Sequence, residues 1–258
     1  GSARSPRLHG TDWILERIAA GVPVTDADIA AMGVAGLLLE IPSRPAPRDR
    51  TPRRGGPKVA AIVLAAGRSS RMNGTNKLLA RIDGRPMIRR SVERVCASKA
   101  APVLVVTGRD APAVDAALDG LPVTTVHNPR YAEGMSTSLK AGLDALPADA
   151  DAAVICLGDM PALAPATIDA LIEAFAEEEN GEIVVPTRGG RRGNPILWSR
   201  RFFPEMAAIG GDRGARSLLT RYAAVTAEAE VDDPGILLDL DTPAALDAFR
   251  TTDGGTQA

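Results

Sequence analysis

Short apolar runs rich in β-branched residues, separated by stretches with helical character, constrain this chain more than any other feature. The runs VAAIVL (59–64), PVLVVT (102–107), PVTTVH (122–127), AAVICL (152–157) and EIVVP (182–186) each end in a loop. Most of those loops lead into segments expected to be helical from near Pro86, Pro112, Ser136 and Pro165, because proline and serine suit a helix N-terminus. Strands apolar on both faces need cover on both faces, and a helix between successive strands allows them to pair in parallel. The expectation is a doubly wound α/β domain over 58–250, a mostly parallel sheet with helices on both faces and no internal repeat. In such sheets ligands sit beyond the carboxyl ends of the strands, so function should be sought in the loops that follow them.

Around this domain the chain reads differently. Residues 1–41 are expected to be an N-terminal helical extension, with Trp13, Ile14, Arg17 and Ile18 at helical spacing and Thr25-Asp26 capping a second short helix. Fewer than about 50 residues cannot bury an independent core, so this piece must lean on something else. A linker rich in Pro, Arg and Gly is expected over 42–57, where proline removes backbone donors and disfavours helix, and 251–258 is expected to be a flexible tail. With 30 Lys and Arg against 32 Asp and Glu, the balance gives no reason to expect a nucleic-acid partner, and any basic patch must be local. No apolar run approaches the roughly 20 residues of a membrane span, and Gly1-Ser2 reads as an expression remnant rather than a leader, so a cytoplasmic protein is expected. Cys96 and Cys156 lie within apolar patterns without CxxC spacing and are expected to be reduced and packed. His9 and His127 have no companion ligands nearby, which argues against zinc.

The loop after the first strand, LAAGRSSRMNGTNK, carries the first local basic patch. Ala65, Ala66 and Gly67 keep side chains out of the way so that backbone N–H groups can approach an anion, and Arg71 and Lys77 add positive charge. Its spacing is neither GxGxxG nor GxxxxGK[ST], which excludes the two commonest nucleotide loops; a solvated basic turn is the plain alternative. At the end of AAVICL, Gly158 and Asp159 fall on the same sheet edge, where a carboxylate facing a phosphate loop is placed to hold Mg2+ or, equally, to cap the next turn. Asp239 and Asp241 again follow an apolar run and precede a helix start at Thr242-Pro243; either could be a cap or a second metal ligand. Two carboxylates from separate strand ends, opposite Arg and Lys, suit the neutralisation of charge in phosphoryl or nucleotidyl transfer.

The ordered set LAAGRSSRM…NK, NPRYAEGMSTSL, GDMP, RRGNP, GDRGAR and DLDTP resembles the MobA-like nucleotidyltransferases, and among them the molybdenum cofactor cytidylyltransferases, over nearly all of 59–250. The resemblance implies a Rossmann-like sheet of the nucleotide-diphospho-sugar transferase kind. It also implies Mg2+-dependent transfer of CMP from CTP to the terminal phosphate of molybdopterin, and an acceptor molybdoenzyme as a further partner; whether Mn2+ substitutes for Mg2+ is left open by the sequence. Position by position, it implies that Leu64, Ala65, Ala66, Gly67, Ser69, Arg71, Lys77 and Gly158 bind the nucleotide. Arg71 and Lys77 would stabilise transition-state charge, Asn128, Gly134, Ser136 and Ser138 would form the base-reading segment, and Asp159 and Asp241 would hold the metal. A helix starting at Ser136 would independently offer N-terminal N–H groups to an anion or a polar base edge.

The acceptor is expected on RRGNP and GDRGAR, through Arg192, Gly193, Asn194, Pro195, Asp212, Gly214 and Arg216, because arginines among glycines suit a second phosphate-bearing molecule. Arg200, Arg201 and Arg221 are read instead as a solvated face. Within the resemblance, LAAG accompanies cytidine transfer and LAGG guanosine transfer, so Ala66 points to CTP. The chain departs from the pattern at Asn73, where glycine usually follows RM sooner; Asn tolerates positive φ better than most residues. The segment from Gly21 to Arg48 resembles the end of a molybdopterin-binding domain, which would make 1–41 the remnant of one. Guanylyl or other nucleotidyl transfer to another small phosphate, and a non-catalytic module that delivers the cofactor, remain the alternatives.

Overall fold

The computed structural model describes residues 56–67, 76–177, 182–211, 215–238 and 240–253. The chain divides between residues 54 and 55 into two units, and all the described residues belong to the second. The extension over 1–41 and nearly all of the linker therefore lie outside the described residues. So do Ser69, Arg71, Asn73, Asp212, Gly214, Asp239 and the end of the tail.

The expected strands form: β1 (Val59–Ala65), β4 (Val103–Thr107), β5 (Val123–His127), β6 (Ala152–Leu157) and β7 (Ile183–Arg188). Between them a small hairpin, β2 (Arg81–Ile82) with β3 (Arg85–Pro86), precedes α1 (Met87–Cys96), and α2 (Ala111–Ala117), α3 (Met135–Asp144) and α4 (Pro165–Glu177) follow. The second half of the domain adds β8 (Arg191–Arg192), β9 (Ile196–Ser199), α5 (Phe203–Ala207), α6 (Arg216–Arg221), β10 (Thr226–Glu230) and α7 (Pro243–Asp253). The sheet order is β10-β7-β9-β6-β1-β4-β5, with β8 paired to β7. β1 runs parallel to both β4 and β6, β4 to β5, and β7 to β10, while β9 alone on this path is reversed, antiparallel to β6 and β7.

Alternate residues of each strand feed two apolar layers. Ala61, Val63, Val105 and Val154 face α1, α2, α4 and α7 through Val92, Val114, Ile168, Leu171 and Leu246. Ile62, Leu104, Val106 and Trp198 face α3, α5 and α6 through Leu139, Met206 and Leu218. Both faces being covered is why β1, β4, β6 and β7 read as continuous apolar runs rather than alternating ones. At Gly142 the helix α3 lies so close to the sheet that a Cβ would stand 2.6 Å from Ile62 Cγ2, and only glycine permits that approach.

β9 and β10 were not among the strands expected from the sequence. α7 also runs through Asp253, three residues into the stretch expected to be flexible. From β1 the chain winds outward through β4 to β5, then returns to place β6 on the other side of β1. The sheet order therefore reverses at β1, and the crevice beyond the carboxyl ends of β4, β1 and β6 is where this architecture holds ligands.

Candidate active site

At that crevice β1 ends at Ala65, which is followed by Ala66, both buried, and by an exposed Gly67. The neighbouring strand end is drawn tightly against it: Gly158 N donates to the carbonyl of the half-buried Leu64 at 3.0 Å. A Cβ on Gly158 would lie 2.9 Å from Ile88 Cδ1 and 3.1 Å from that same carbonyl, so glycine is what lets the two loops meet. Asp159 is thereby fixed beside the end of β1.

The chain returns to the crevice at Asn76, whose side chain accepts from Leu78 N at 3.1 Å and starts the short 3-10 turn Lys77–Leu79. Asn76 also donates to Asp110 Oδ2 at 3.3 Å, tying this turn to the start of α2. Lys77 then projects between two carboxylates. Its Nζ donates to Asp159 Oδ2 at 2.5 Å and to Asp241 Oδ1. The side chains are 14%, 20% and 38% exposed for Lys77, Asp159 and Asp241. Burial opposes the charge on the Lys77 ammonium, but Asp159 and then Asp241 outweigh it and hold its pKa above the ordinary lysine value. Thr242 Oγ1 accepts from Ala245 N at 3.2 Å, so Thr242 caps α7 while Asp241 reaches across to Lys77.

Three of the residues expected to carry chemistry, Lys77, Asp159 and Asp241, thus converge from three separate loops; the fourth, Arg71, lies outside the described residues. The donor chemistry fits a hard divalent cation. Mg2+ takes one or two carboxylates and completes its shell with water and phosphate oxygens, so a pair of carboxylates such as Asp159 and Asp241 suffices without a larger protein cage. Among the described residues no group of three or more His, Cys, Asp or Glu is placed to hold a metal.

The expected base-reading segment is organised from within. Asn128, which is buried, donates through Nδ2 to Thr137 Oγ1 at 2.9 Å and Ser138 Oγ at 3.0 Å, and accepts from Arg130 N at 2.9 Å. Its amide therefore shapes the loop before α3. Gly134, at φ 123°, makes the turn into that helix, in a region of backbone space that favours glycine. Ser136 is buried with its N–H on the carbonyl of Gly211 at 3.3 Å, which brings the start of GDRGAR against the beginning of α3. Sequence reasoning missed Gly108 and Tyr131: a Cβ on Gly108 would stand 2.6 Å from Tyr131 Cβ and 2.8 Å from Ala66 Cβ, so these residues form one wall beside β1.

On the expected acceptor side, β9 begins with Ile196 opposite Ile155, so RRGNP lies on the same edge as Gly158 and Asp159. Gly193 and Pro195 are buried, Asn194 is half-buried, and Arg192 is exposed and paired with Glu228 at 2.6 Å. Asn194 N donates to Ile236 O at 3.0 Å, and a Cβ on Gly193 would lie 2.7 Å from Ile236 Cβ. α6 begins at Arg216, whose side chain lies outside the described residues. At the start of RRGNP an open cleft of about 600 Å³ is lined by Arg188, Arg191, Glu230, Asp232 and Leu237.

The arginines read as a solvated face have structural partners. Arg200 donates to the carbonyl of Pro147 at 2.5 Å, Arg201 to the buried Glu182 at 2.7 Å, and Arg221 to Glu205 at 2.5 Å. Burial pushes the Cys156 thiol up to about 12, so it remains protonated and unreactive in the fold.

Residues 61–226 match the profile of the MobA-like NTP transferase domain. The chain is 32% identical over 203 residues to the purine catabolism protein PucB of Bacillus subtilis, covering 75% of this chain and 97% of PucB. It is 29% identical over 188 residues to the molybdenum cofactor cytidylyltransferase of Escherichia coli, covering 72% of this chain and 92% of that protein. A stretch of 119 residues is 37% identical to the bifunctional protein GlmU of Agrobacterium fabrum, but the chain spans only 26% of GlmU. Among solved structures, Rv0371c of Mycobacterium tuberculosis superposes with a TM-score of 0.67 at 28% identity, covering 76% of this chain and 99% of that one. The same protein has also been solved as a complex with manganese. Fold, profile and relatives agree, and the chain belongs to the MobA-like NTP transferase family.

Proposed function

We propose that this protein transfers CMP from CTP to the terminal phosphate of molybdopterin, releasing pyrophosphate and forming the cytosine dinucleotide cofactor. The observation that carries the reading is the convergence of Lys77, Asp159 and Asp241 at the reversal point of the sheet, next to a loop stripped of bulk at Ala65, Ala66 and Gly67. The name and coverage of the Escherichia coli relative support the acceptor and the base. The setting is cytoplasmic in this reading; no helix among the described residues is long and apolar enough to cross a membrane.

An oxygen of the molybdopterin phosphate attacks the α-phosphorus of CTP; a new P–O bond forms as the bond to the β-phosphate oxygen breaks, and pyrophosphate carries away the electron pair. Such a displacement needs alignment and charge neutralisation rather than a covalent nucleophile. Backbone N–H groups at Ala65–Gly67, with Ser69 and Arg71, cradle the triphosphate. Lys77 stabilises the charge that grows on the transferring and leaving phosphates. Asp159 and Asp241 would hold Mg2+, or Mn2+, which when bound supplies Lewis-acid neutralisation of phosphate charge. Asn128, Ser138 and Gly134 hold the loop against which the base lies, and Ala66 narrows that side to a pyrimidine. Arg192, Gly193, Asn194, Pro195 and the 212–216 stretch receive the acceptor, Arg192 exchanging Glu228 for the incoming phosphate.

Incubation with molybdopterin, Mg2+ and each of the four NTPs tests the reading, with pyrophosphate and the dinucleotide product both followed. CTP alone is expected to turn over efficiently. Faster turnover with GTP overturns the base assignment, and turnover only with a sugar phosphate or isoprenoid phosphate overturns the acceptor. Binding of the finished cofactor without any turnover replaces transfer by delivery.

A further inference from the structure

We infer that Asp233, which has no part in the reading above, is a positioning residue that sets the spacing of Asp159 and Asp241. It is 5% exposed, an unusual place for a carboxylate unless its oxygens are occupied. They are. Oδ2 accepts from Ala164 N at 2.8 Å and from Thr167 Oγ1 at 2.7 Å, and Oδ1 accepts from Gly235 N at 2.8 Å.

Those three donors belong to the two segments that carry the converging carboxylates. Ala164 and Thr167 lie at the junction of the Asp159 loop with α4, where a negative charge is also favoured by the N-terminus of a helix of 13 residues. Gly235 lies in the 3-10 turn Pro234–Leu237, which leads through the buried Leu240 to Asp241. The turn has little freedom once it is seated. A Cβ on Gly235 would lie 2.6 Å from Ala162 O, and Ile236 O is held by Asn194 N at 3.0 Å.

Asp233 is therefore the polar tie between the Asp159 loop and the approach to Asp241. If the tie slackens, the turn Pro234–Leu237 loses its side-chain cap and its fastening to the Asp159 loop, and the spacing of the two carboxylates is left to Lys77 at their tips. Divalent-cation affinity depends on that distance, as does any rate that needs both carboxylates on one ion. A residue that only held the fold together would affect stability without singling out the metal.

This inference rests on the assignment of Asp159 and Asp241 to metal, and the test separates the two. Mn2+ binding to the nucleotide-free protein is followed by electron paramagnetic resonance, alongside circular dichroism and steady-state kinetics. The variants are Asp233→Asn, which keeps the shape but replaces one acceptor oxygen by a donor, and Thr167→Val, which deletes one donor at nearly constant volume. Thr167→Ser retains that donor. Folded Asp233→Asn is expected to bind Mn2+ at least tenfold more weakly and to lose at least tenfold in kcat, with the KM for the nucleotide changed less than threefold. Thr167→Val should shift in the same direction by a smaller factor, with Thr167→Ser nearer to the parent. Mn2+ affinity in Asp233→Asn equal to that of the parent overturns the inference. If Asp233→Asn does not fold, equal Mn2+ affinity in Thr167→Val and Thr167→Ser does the same. A parent protein whose Mn2+ signal is unaffected by Asp159→Ala overturns the metal assignment itself.

Discussion

Lys77→Met removes the ammonium shared by two carboxylates while keeping a side chain of similar length, and its cost can be worked from the geometry. Two unit charges about 4 Å apart at an effective dielectric near 20 interact by about 4 kcal/mol before desolvation. The Asp241 side chain is 38% exposed, so its pair is screened and is worth no more than about 1 kcal/mol. The Asp159 pair, with side chains 14% and 20% exposed, retains about half of its gross attraction after the cost of burying the ammonium, or about 2 kcal/mol. The substitution should therefore destabilise the domain by about 2–3 kcal/mol, a fall in Tm of roughly 4–12 °C for a unit of this size. Thermal unfolding in a chelating buffer is the assay, and adding Asp159→Asn to the variant should recover part of the loss by removing the repulsion between the carboxylates. Millimolar Mg2+ should raise the Tm of Lys77→Met more than that of the parent, because an ion binding only the folded state restores what the ammonium supplied.

The pH dependence of that difference has a definite sign. The folded pKa of Lys77 lies above its ordinary value, so its stabilisation is complete below the unfolded value of about 10.4 and is lost as pH rises through the folded one. The gap between parent and variant should be flat from about pH 6 to 9 and close only in strongly alkaline buffer. Equal stability of parent and variant in chelator near neutral pH would refute the whole chain of reasoning.

Two further substitutions probe the same crevice. Gly158→Ala places a methyl 2.9 Å from the buried Cδ1 of Ile88 and 3.1 Å from the backbone carbonyl of Leu64, so packing and backbone must both yield; about 1–3 kcal/mol of stability and at least about tenfold in kcat should be lost. Asp159→Ala should leave the circular dichroism spectrum intact and lower kcat by about a hundredfold or more, and unchanged turnover would remove Asp159 from the chemistry.

The first half of the sheet was legible because β1, β4, β6 and β7 are covered on both faces, which leaves unbroken apolar runs in the sequence. β10 was not: its TAEAE alternates small and acidic residues, as suits an edge strand with one wet face, and resembles a solvated helix as much as a strand. β9 is only four residues long and is specified by its neighbours β6 and β7 rather than by its own pattern. In the site, Asp159 and Asp241 were legible because each ends an apolar run, but the placing of Lys77 between them depends on three loops distant in sequence. Asp233 was illegible for a related reason. Asp-Pro-Gly reads as a turn and nothing more, since its donors at Ala164 and Thr167 come from another part of the chain.

The reversal of β9 connects these observations. Had β9 run parallel to β6, the residues before it would have lain at the amino edge of the sheet, far from the crevice. Instead β7 turns through Gly189 and Gly190, both at positive φ, as a two-residue hairpin loop requires, and the chain re-enters the sheet from the carboxyl edge. Gly193, Asn194 and Pro195 consequently lie at the same edge of the sheet as Gly158 and Asp159, while Asn194 N donates to Ile236 O, in the turn that Asp233 anchors. The stretch proposed to receive the acceptor and the segment that carries Asp241 are thus hydrogen-bonded to each other. The contact is more than that one bond, since a Cβ on Gly193 would lie 2.7 Å from Ile236 Cβ, so the 193–195 stretch cannot shift without disturbing the turn that leads to Asp241.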